Sequence, residues 1–232
     1  VIDIPILHAD PHVVVLNKPP GLPVHPGPGG GPSVEDFFPQ LSRRRDGPWL
    51  AHRLDADTAG CLVIALRKTA LLTLQAAFAE GRVAKTYWAV VQGEIEGEHG
   101  HISAPLRKRQ TRDGWTMEVH PEGQSAETTW QVLGRAPGQT WLALTPKTGR
   151  THQLRVHCAH RGWPILGDSL YGTKGPGLHL LARRIVLPLA PPVLATAPPP
   201  GGMVAALRGC GWEESAGLRP DPQGAEPLAG LG

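Results

Sequence analysis

The apolar run Cys61-Leu62-Val63-Ile64-Ala65-Leu66 constrains the fold of this chain more than any other stretch. Its length and its β-branched centre read as a buried strand, and Gly60 in front of it reads as a turn or a close backbone approach. Immediately ahead stands a charged string, His52-Arg53-Leu54-Asp55-Ala56-Asp57-Thr58-Ala59-Gly60. In an extended segment positions i and i+2 point the same way, so Arg53 and Asp55 share one side at the mouth of a core strand. A plainer account has Asp55 or Asp57 capping a turn, with Thr58 closing an Asx-type hydrogen bond.

Around this centre the chain reads as short strands with few helices. Val13-Val14-Val15-Leu16 is a strand stopped by Pro19 and Pro20, which cannot donate to a ladder. A Pro/Gly loop follows from Pro23 to Pro32, then a short capped helix from Ser33 to Phe38. Lys68–Gly81 is the best helix in the chain, because Ala70, Leu71, Leu74, Ala77 and Phe78 form one apolar face and Gly81 supplies the cap. Val83–Val91 is a strand with Tyr87 at its middle. Arg107–Arg112 reads as a basic loop, and Val119–Val132 and Trp141–Thr145 read as strands paired across a turn at Gly138. Past Pro188 the pattern decays into Pro-rich sequence.

Length and composition admit one large domain with a sizeable core. No run of eighteen apolar residues exists, so no membrane span is implied. No basic-then-apolar leader opens the residues in hand, which predicts a cytoplasmic protein. Cys61, Cys158 and Cys210 are three, widely spaced and without a Cys-x-x-Cys pair, which argues for reduced thiols. The net charge is +3, but Glu213, Glu214, Asp221 and Glu226 stand against Arg219 alone in the last twenty residues. The body is therefore more basic than the whole. Its cations cluster at Arg43–Arg45, Arg107–Arg109, Lys147/Arg150/Arg155 and Arg183-Arg184, a polyanion footprint if they share a face.

The second chemically loaded stretch is Gly149-Arg150-Thr151-His152-Gln153-Leu154-Arg155-Val156-His157-Cys158-Ala159-His160. Its apolar spacing predicts a helix entered at Thr151. His152, His157, Cys158 and His160 are potential zinc ligands. However, His152 and His157 point about 140° apart on a helix, and no carboxylate or second cysteine completes a set nearby.

Taken in order, the strings resemble the RluA-type pseudouridine synthases. The resemblance is carried by Asn17-Lys18-Pro19-x-Gly21-Leu22, then His52-Arg53-Leu54-Asp55-x-x-Thr58-x-Gly60, then Lys85-x-Tyr87-x-Ala89-x-Val91 and Ala126-x-Thr128-x-Trp130. Gly149-Arg150-x-His152-Gln153-Leu154-Arg155-x-His157, Gly162-x-Pro164-x-x-Gly167-Asp168-x-x-Tyr171-Gly172 and Leu178-x-Leu180-x-Ala182 complete it. Together they cover about Val13–Leu187.

The resemblance implies an α+β fold: a mixed, largely antiparallel β-sheet with flanking helices and a central active-site cleft. Residues 1–200 are expected to form the catalytic domain, without the family's optional amino-terminal RNA-binding module. Residues 201–232 are expected to be a Pro/Gly-rich, disordered acidic tail. Asp55 is the implied catalytic carboxylate, Tyr87 contacts the target base and acts at the late proton removal, and Arg53 fills the stack left by a flipped uridine. Arg155 is the candidate for holding Asp55 ionised, since a guanidinium stays charged at any working pH. His52, Lys18, Lys85, Arg150, His152, Gln153 and Leu180 join Arg53 as expected substrate contacts. Because the base keeps all its atoms, neither metal nor cofactor is expected. The expected partner is a loop of structured RNA, ribosomal or transfer, acted on by a monomer. Two rivals from other classes are a non-catalytic RNA-binding protein using the same basic cleft, and a zinc-dependent hydrolase built on His152, His157 and His160.

Overall fold

The computed structural model describes residues 3–27, 30–112 and 114–214. Strands β1 (Ile6–Ala9) and β2 (Val13–Lys18) open the chain. A 3-10 turn at Val34–Phe37 and the single turn α1 (Phe38–Leu41) lead to β3 (Trp49–Leu50). Next come β4 (Ala59–Ala65), α2 (Lys68–Ala79) and β5 (Ala84–Gln92). Strands β6 (His99–Ser103), β7 (Leu106–Thr111), β8 (Gly114–Val119), β9 (Glu127–Ala136) and β10 (Gln139–Pro146) follow. The described chain closes with α3 (Gln153–His160), β11 (Leu180–Leu187), β12 (Val193–Thr196) and α4 (Gly201–Gly209).

Ten strands make one sheet in the order β1-β2-β4-β11-β5-β10-β9-β6, with β3 beside β4 and β12 beside β11. Every pair in it is antiparallel except β4 with β11. That one parallel contact is brief, Leu181 to Ala59 and Ala182 to Gly60, after which β11 pairs with β12 from Arg184 onwards. Gly60 permits the approach: its φ is +107°, and a Cβ there would collide with the Ala182 carbonyl. The sheet therefore parts just beyond the segment that carries Asp55. The expected α+β architecture, a mixed and largely antiparallel sheet, is observed.

β4 is buried along its whole length, as its apolar sequence requires. α2 packs Ala70, Leu74 and Ala77 into the larger core. A second core lies under β5, β9, β10 and α3, and Tyr87 packs against both.

Three expectations need correction. Arg107–Thr111 is not a loop but belongs to β7, which pairs with β8 as a separate two-stranded hairpin. Arg107 to Gln110 are all exposed, so both faces meet solvent there and no apolar period marks the strand. The basic residues do not all share a face, because Arg155 is buried. Finally, the folded unit does not end at residue 200. α4 occupies Gly201–Gly209 and buries Met203 and Leu207 in the larger core, where Cys210 joins them. Residues 215–232 of the expected tail lie outside the described residues.

The packing of α4 has a measurable consequence. Leu207 is 0% exposed whereas Leu72 on α2 is 57% exposed. Leu207→Ala should lower the unfolding free energy by about 2–5 kcal/mol, and Leu72→Ala should change it by less than about 0.5 kcal/mol. Urea unfolding of both variants checks this, and equal small effects would detach α4 from the core.

Candidate active site

The loop between β3 and β4 holds Asp55 by its backbone. Its carbonyl accepts the Thr58 N–H at 3.1 Å, and the neighbouring Ala56 carbonyl accepts the Gly21 N–H at 2.9 Å. The same Ala56 carbonyl takes a hydrogen bond from Lys18 Nζ at 2.7 Å, and Nζ also donates to the carbonyls of Pro19 and Leu22, each at 2.8 Å. Burial pulls the Lys18 ammonium down to about 8, against the Asp57 and Asp55 carboxylates that raise it. It remains protonated at neutral pH, and its three hydrogens match three carbonyls. Lys18 is thus a clamp between two loops. Its expected role as a substrate contact is corrected: it is fully buried and its hydrogen-bonding capacity is used within the protein.

A cavity of about 650 Å³ opens beside this loop, a size that suits a small ligand or an extruded nucleotide base. The Asp55 side chain reaches it, 22% exposed, with its two oxygens facing different partners. Oδ2 lies 3.6 Å from Arg155 Nη1, and Oδ1 lies 3.8 Å from His152 Nε2. The turn-cap account of Asp55 does not hold: only its backbone carbonyl, not its carboxylate, takes part in the turn.

Arg155 projects from α3 and is 5% exposed. Its Nε and Nη2 each donate to Asp168 at 2.8 Å, a two-pronged pair that fixes the guanidinium plane. Asp168 is completely buried and also accepts the N–H groups of Leu170 and Tyr171. Burial alone would raise its carboxyl, but the guanidinium and the two N–H groups pull it below its ordinary 3.8. With two nitrogens held, Nη1 is the one turned toward Asp55. Asp168 and Tyr171 were not among the expected site residues, although both stand in the Gly167-Asp168-x-x-Tyr171-Gly172 string.

The expected residues sort themselves by what they touch. Tyr87 and Lys85 lie two apart on β5 and both line the cavity. Burial pushes the Tyr87 phenol well above its ordinary value, and the Asp55 charge adds to this. Burial likewise lowers the Lys85 ammonium. Arg53 is exposed at the cavity mouth, and Leu180 lines the wall at the start of β11. Arg150 also lines the cavity, and its Nε donates to the Ser125 carbonyl at 3.0 Å.

Two others line the cavity and are also held by contacts within the protein. His52 accepts the Val63 N–H on Nε2 at 3.0 Å and stacks on Phe78, and burial holds its pKa at about 3. It is a neutral wall. Gln153 uses its whole amide inside the protein: its oxygen accepts from Thr148 Oγ1 and Arg150 N–H, and its nitrogen donates to the Glu127 carbonyl and Thr128 Oγ1. It shapes the 147–152 loop.

His152 is the only described non-glycine residue with positive φ, at 53°. It is anchored by Tyr171, whose hydroxyl lies 2.7 Å from Nδ1, and by Trp115 of β8, stacked on its ring at 5.4 Å. Trp115 was unanticipated, because nothing local distinguishes it. The zinc reading fails on His157, whose Nδ1 meets Thr128 Oγ1 and whose Nε2 donates to the Ala104 carbonyl. Among the described residues no group of three or more His, Cys, Asp or Glu is arranged to hold a metal. No described helix is long and apolar enough to cross a membrane.

The same architecture and sequence recur in known proteins. A family model described as RNA pseudouridylate synthase matches residues 12–160. An uncharacterized RNA pseudouridine synthase of Zymomonas mobilis is 37% identical over 204 residues, covering 84% of this chain and 93% of its own. Ribosomal large subunit pseudouridine synthase C of Vibrio vulnificus is 38% identical over 169 residues, 73% of this chain but only 53% of that relative. The solved structure of human RNA pseudouridylate synthase domain containing 4 is 29% identical and aligns with a TM-score of 0.75, over 88% of this chain and 92% of its own. The chain belongs to the RNA pseudouridylate synthase family, whose members are enzymes that convert uridine to pseudouridine. This is the RluA-type resemblance drawn from the sequence, and it sets the purely RNA-binding alternative aside.

The Arg155–Asp168 pair carries a pH signature. A carboxyl whose folded pKa is depressed contributes stability that is present above its unfolded value and lost as pH falls through the folded one. At pH 7, Asp168→Asn should destabilise the fold by about 3–5 kcal/mol, the penalty for a buried cation deprived of its partner. Below pH 3.8 the unfolded chain takes up a proton at Asp168 that the folded pair resists, so the gap should begin to narrow, and it closes only as pH falls through the lower folded value. Unfolding midpoints of both proteins at pH 7 and pH 3 test this, and a gap that stays constant would contradict the pairing.

Proposed function

We propose that this enzyme isomerises specific uridines in structured RNA, with Asp55 as the reacting carboxylate and the target base flipped into the 650 Å³ cavity. The observation that carries the proposal is the placement of the Asp55 carboxylate: it faces an open cavity on one side and a fixed guanidinium on the other. In the reaction the bond from the sugar to ring nitrogen breaks, the base turns while held, and a bond to ring carbon C5 forms. The proton displaced from C5 is balanced by the one gained at the freed nitrogen, so no cofactor is consumed. The carboxylate can add to the sugar, add to the ring, or remove a sugar proton. Each path requires it ionised, and the Arg155 guanidinium, charged at any working pH, stands beside it.

Tyr87, a buried phenol on the cavity wall, is placed to pack against the base and to act at the late proton removal. Leu180 offers an apolar surface on the same wall. Lys85, Arg150 and Arg53 surround the mouth with positive charge, which favours a phosphate backbone. On the hairpin, Arg107 and Arg109 are already paired with Glu118, while Lys108 lies 4.5 Å over the Trp115 ring. A structured loop fits the site best, because extrusion of a base costs a few kcal/mol and is cheapest where stacking is already weak. The likeness to the ribosomal large subunit pseudouridine synthase C of Vibrio vulnificus favours ribosomal RNA over transfer RNA.

Asp55→Asn keeps the shape and removes the charge. It should abolish isomerisation while RNA affinity holds or improves. Arg53→Ala should slow turnover on a structured loop by roughly ten- to a thousandfold, the equivalent of the few kcal/mol of extrusion, and by much less on a flexible strand. Single-turnover kinetics and binding on both RNAs decide. Near-normal isomerisation by Asp55→Asn would rule out the carboxylate chemistry, and an Arg53→Ala defect equal on both RNAs would discard the flipping role.

A further inference from the structure

His152 sits in a backbone conformation that costs an ordinary L residue on the order of 1 kcal/mol or more, with φ 53° and ψ 17° at the start of α3. Such a residue persists only where its surroundings over-determine it, and here they do. Trp115 lies against one face of the imidazole with an interplanar angle of 20°, and the Tyr171 ring meets its edge at 73°. The Tyr171 hydroxyl is 2.7 Å from Nδ1, and Nε2 is directed at Asp55 Oδ1, 3.8 Å away.

The Tyr171 hydroxyl determines which imidazole nitrogen carries the hydrogen. The Met117 backbone N–H donates to the phenolic oxygen at 2.9 Å. The oxygen has one hydrogen of its own, and His152 Nδ1 is the acceptor within reach. An O–H donor at this distance fits the usual hydrogen-bond length. Nδ1 then holds a lone pair facing Tyr171, and the neutral ring bears its hydrogen on Nε2, toward Asp55.

We infer that His152 is a positioning residue for the isomerisation: Tyr171 locks its tautomer, and the Nε2–H group holds Asp55 Oδ1 while Arg155 Nη1 holds Oδ2. This rests on the reading of Asp55 as the reacting carboxylate. Closing the Nε2–Oδ1 gap to a hydrogen bond needs a movement of roughly 1 Å, of the kind that occurs when a substrate fills an open site. The two donors approach different oxygens of one carboxylate, so together they fix its rotation as well as its position. The arrangement also ties the hairpin to the chemistry, since Trp115 and Met117 both belong to β8.

Two substitutions separate positioning from mere support. His152→Gln places an amide N–H where Nε2 stood and gives up the Tyr171 contact. His152→Asn keeps a partner for Tyr171, tolerates the left-handed backbone better, and gives up the donor to Asp55. Positioning requires His152→Gln to retain most of the single-turnover rate while His152→Asn loses about tenfold or more, the loss of one charge-assisted hydrogen bond, with RNA affinity unchanged in both. A purely structural role demands the reverse order, and His152→Asn equal to or faster than His152→Gln would overturn the inference. Nitrogen NMR on the ¹⁵N-histidine-labelled wild-type chain gives an independent reading if either variant folds poorly. At pH 7.5 the His152 signals, assigned by their loss in whichever of the two variants folds, should show a bare Nδ1 and a protonated Nε2. The opposite tautomer would overturn the inference even if Asp55→Asn is inactive, whereas an active Asp55→Asn would instead remove the chemistry on which it rests.

Discussion

The buried pair between Arg155 and Asp168 is the interaction on which the site depends. Taking two charges out of water costs several kcal/mol for each ion, and replacement by well-packed apolar residues is often no worse for stability. Its value here lies in geometry. Asp168 presents both oxygens to Nε and Nη2, and its remaining capacity is met by the Leu170 and Tyr171 N–H groups. A guanidinium held on two of its three nitrogens has one direction left for the third, and that direction is Asp55. The Tyr171 ring, 5.3 Å from the guanidinium carbon, closes another side.

The opposite half of the site is set by backbone. Lys18 joins three carbonyls from two loops, so the segment carrying Asp55 is tied to the end of β2. Gly60 lets β4 run against β11 for two residues before the strands part. Sheet divergence, lysine clamp and ion pair meet around one carboxylate. None of these features touches solvent extensively, whereas the cations Arg53 and Arg150, which also line the cavity, are exposed.

Elements with their own local signal were legible in the sequence. β4 announces itself by an unbroken apolar run, α2 by its apolar face and terminal Gly81, and the β9–β10 turn by Gly138. What escaped reading depends on partners far along the chain. α4 begins with Gly201 and Gly202, both poor helix formers, and is held by the burial of Met203 and Leu207 rather than by propensity. β7 is charged because it lies on an exposed hairpin. In the site, the motif strings placed Asp55, Tyr87 and Arg155 around one cavity, yet the same strings suggested that Lys18 and Gln153 would meet substrate through polar atoms that the fold uses internally. A lysine or glutamine whose acceptors are backbone groups gives no pattern from which that role can be read. Asp168 lies thirteen residues from Arg155 across a turn, and only the folded chain shows that they share two hydrogen bonds.

If orientation rather than charge is what Arg155 supplies, Arg155→Lys is the sharpest measurement. A lysine retains the cation but cannot grip Asp168 with a two-pronged fork and reach Asp55 at once. The single-turnover rate of isomerisation should fall by about tenfold or more with RNA affinity unchanged. A rate within about twofold of the wild-type enzyme, well under 1 kcal/mol of barrier, would show that any nearby positive charge suffices and would contradict the account.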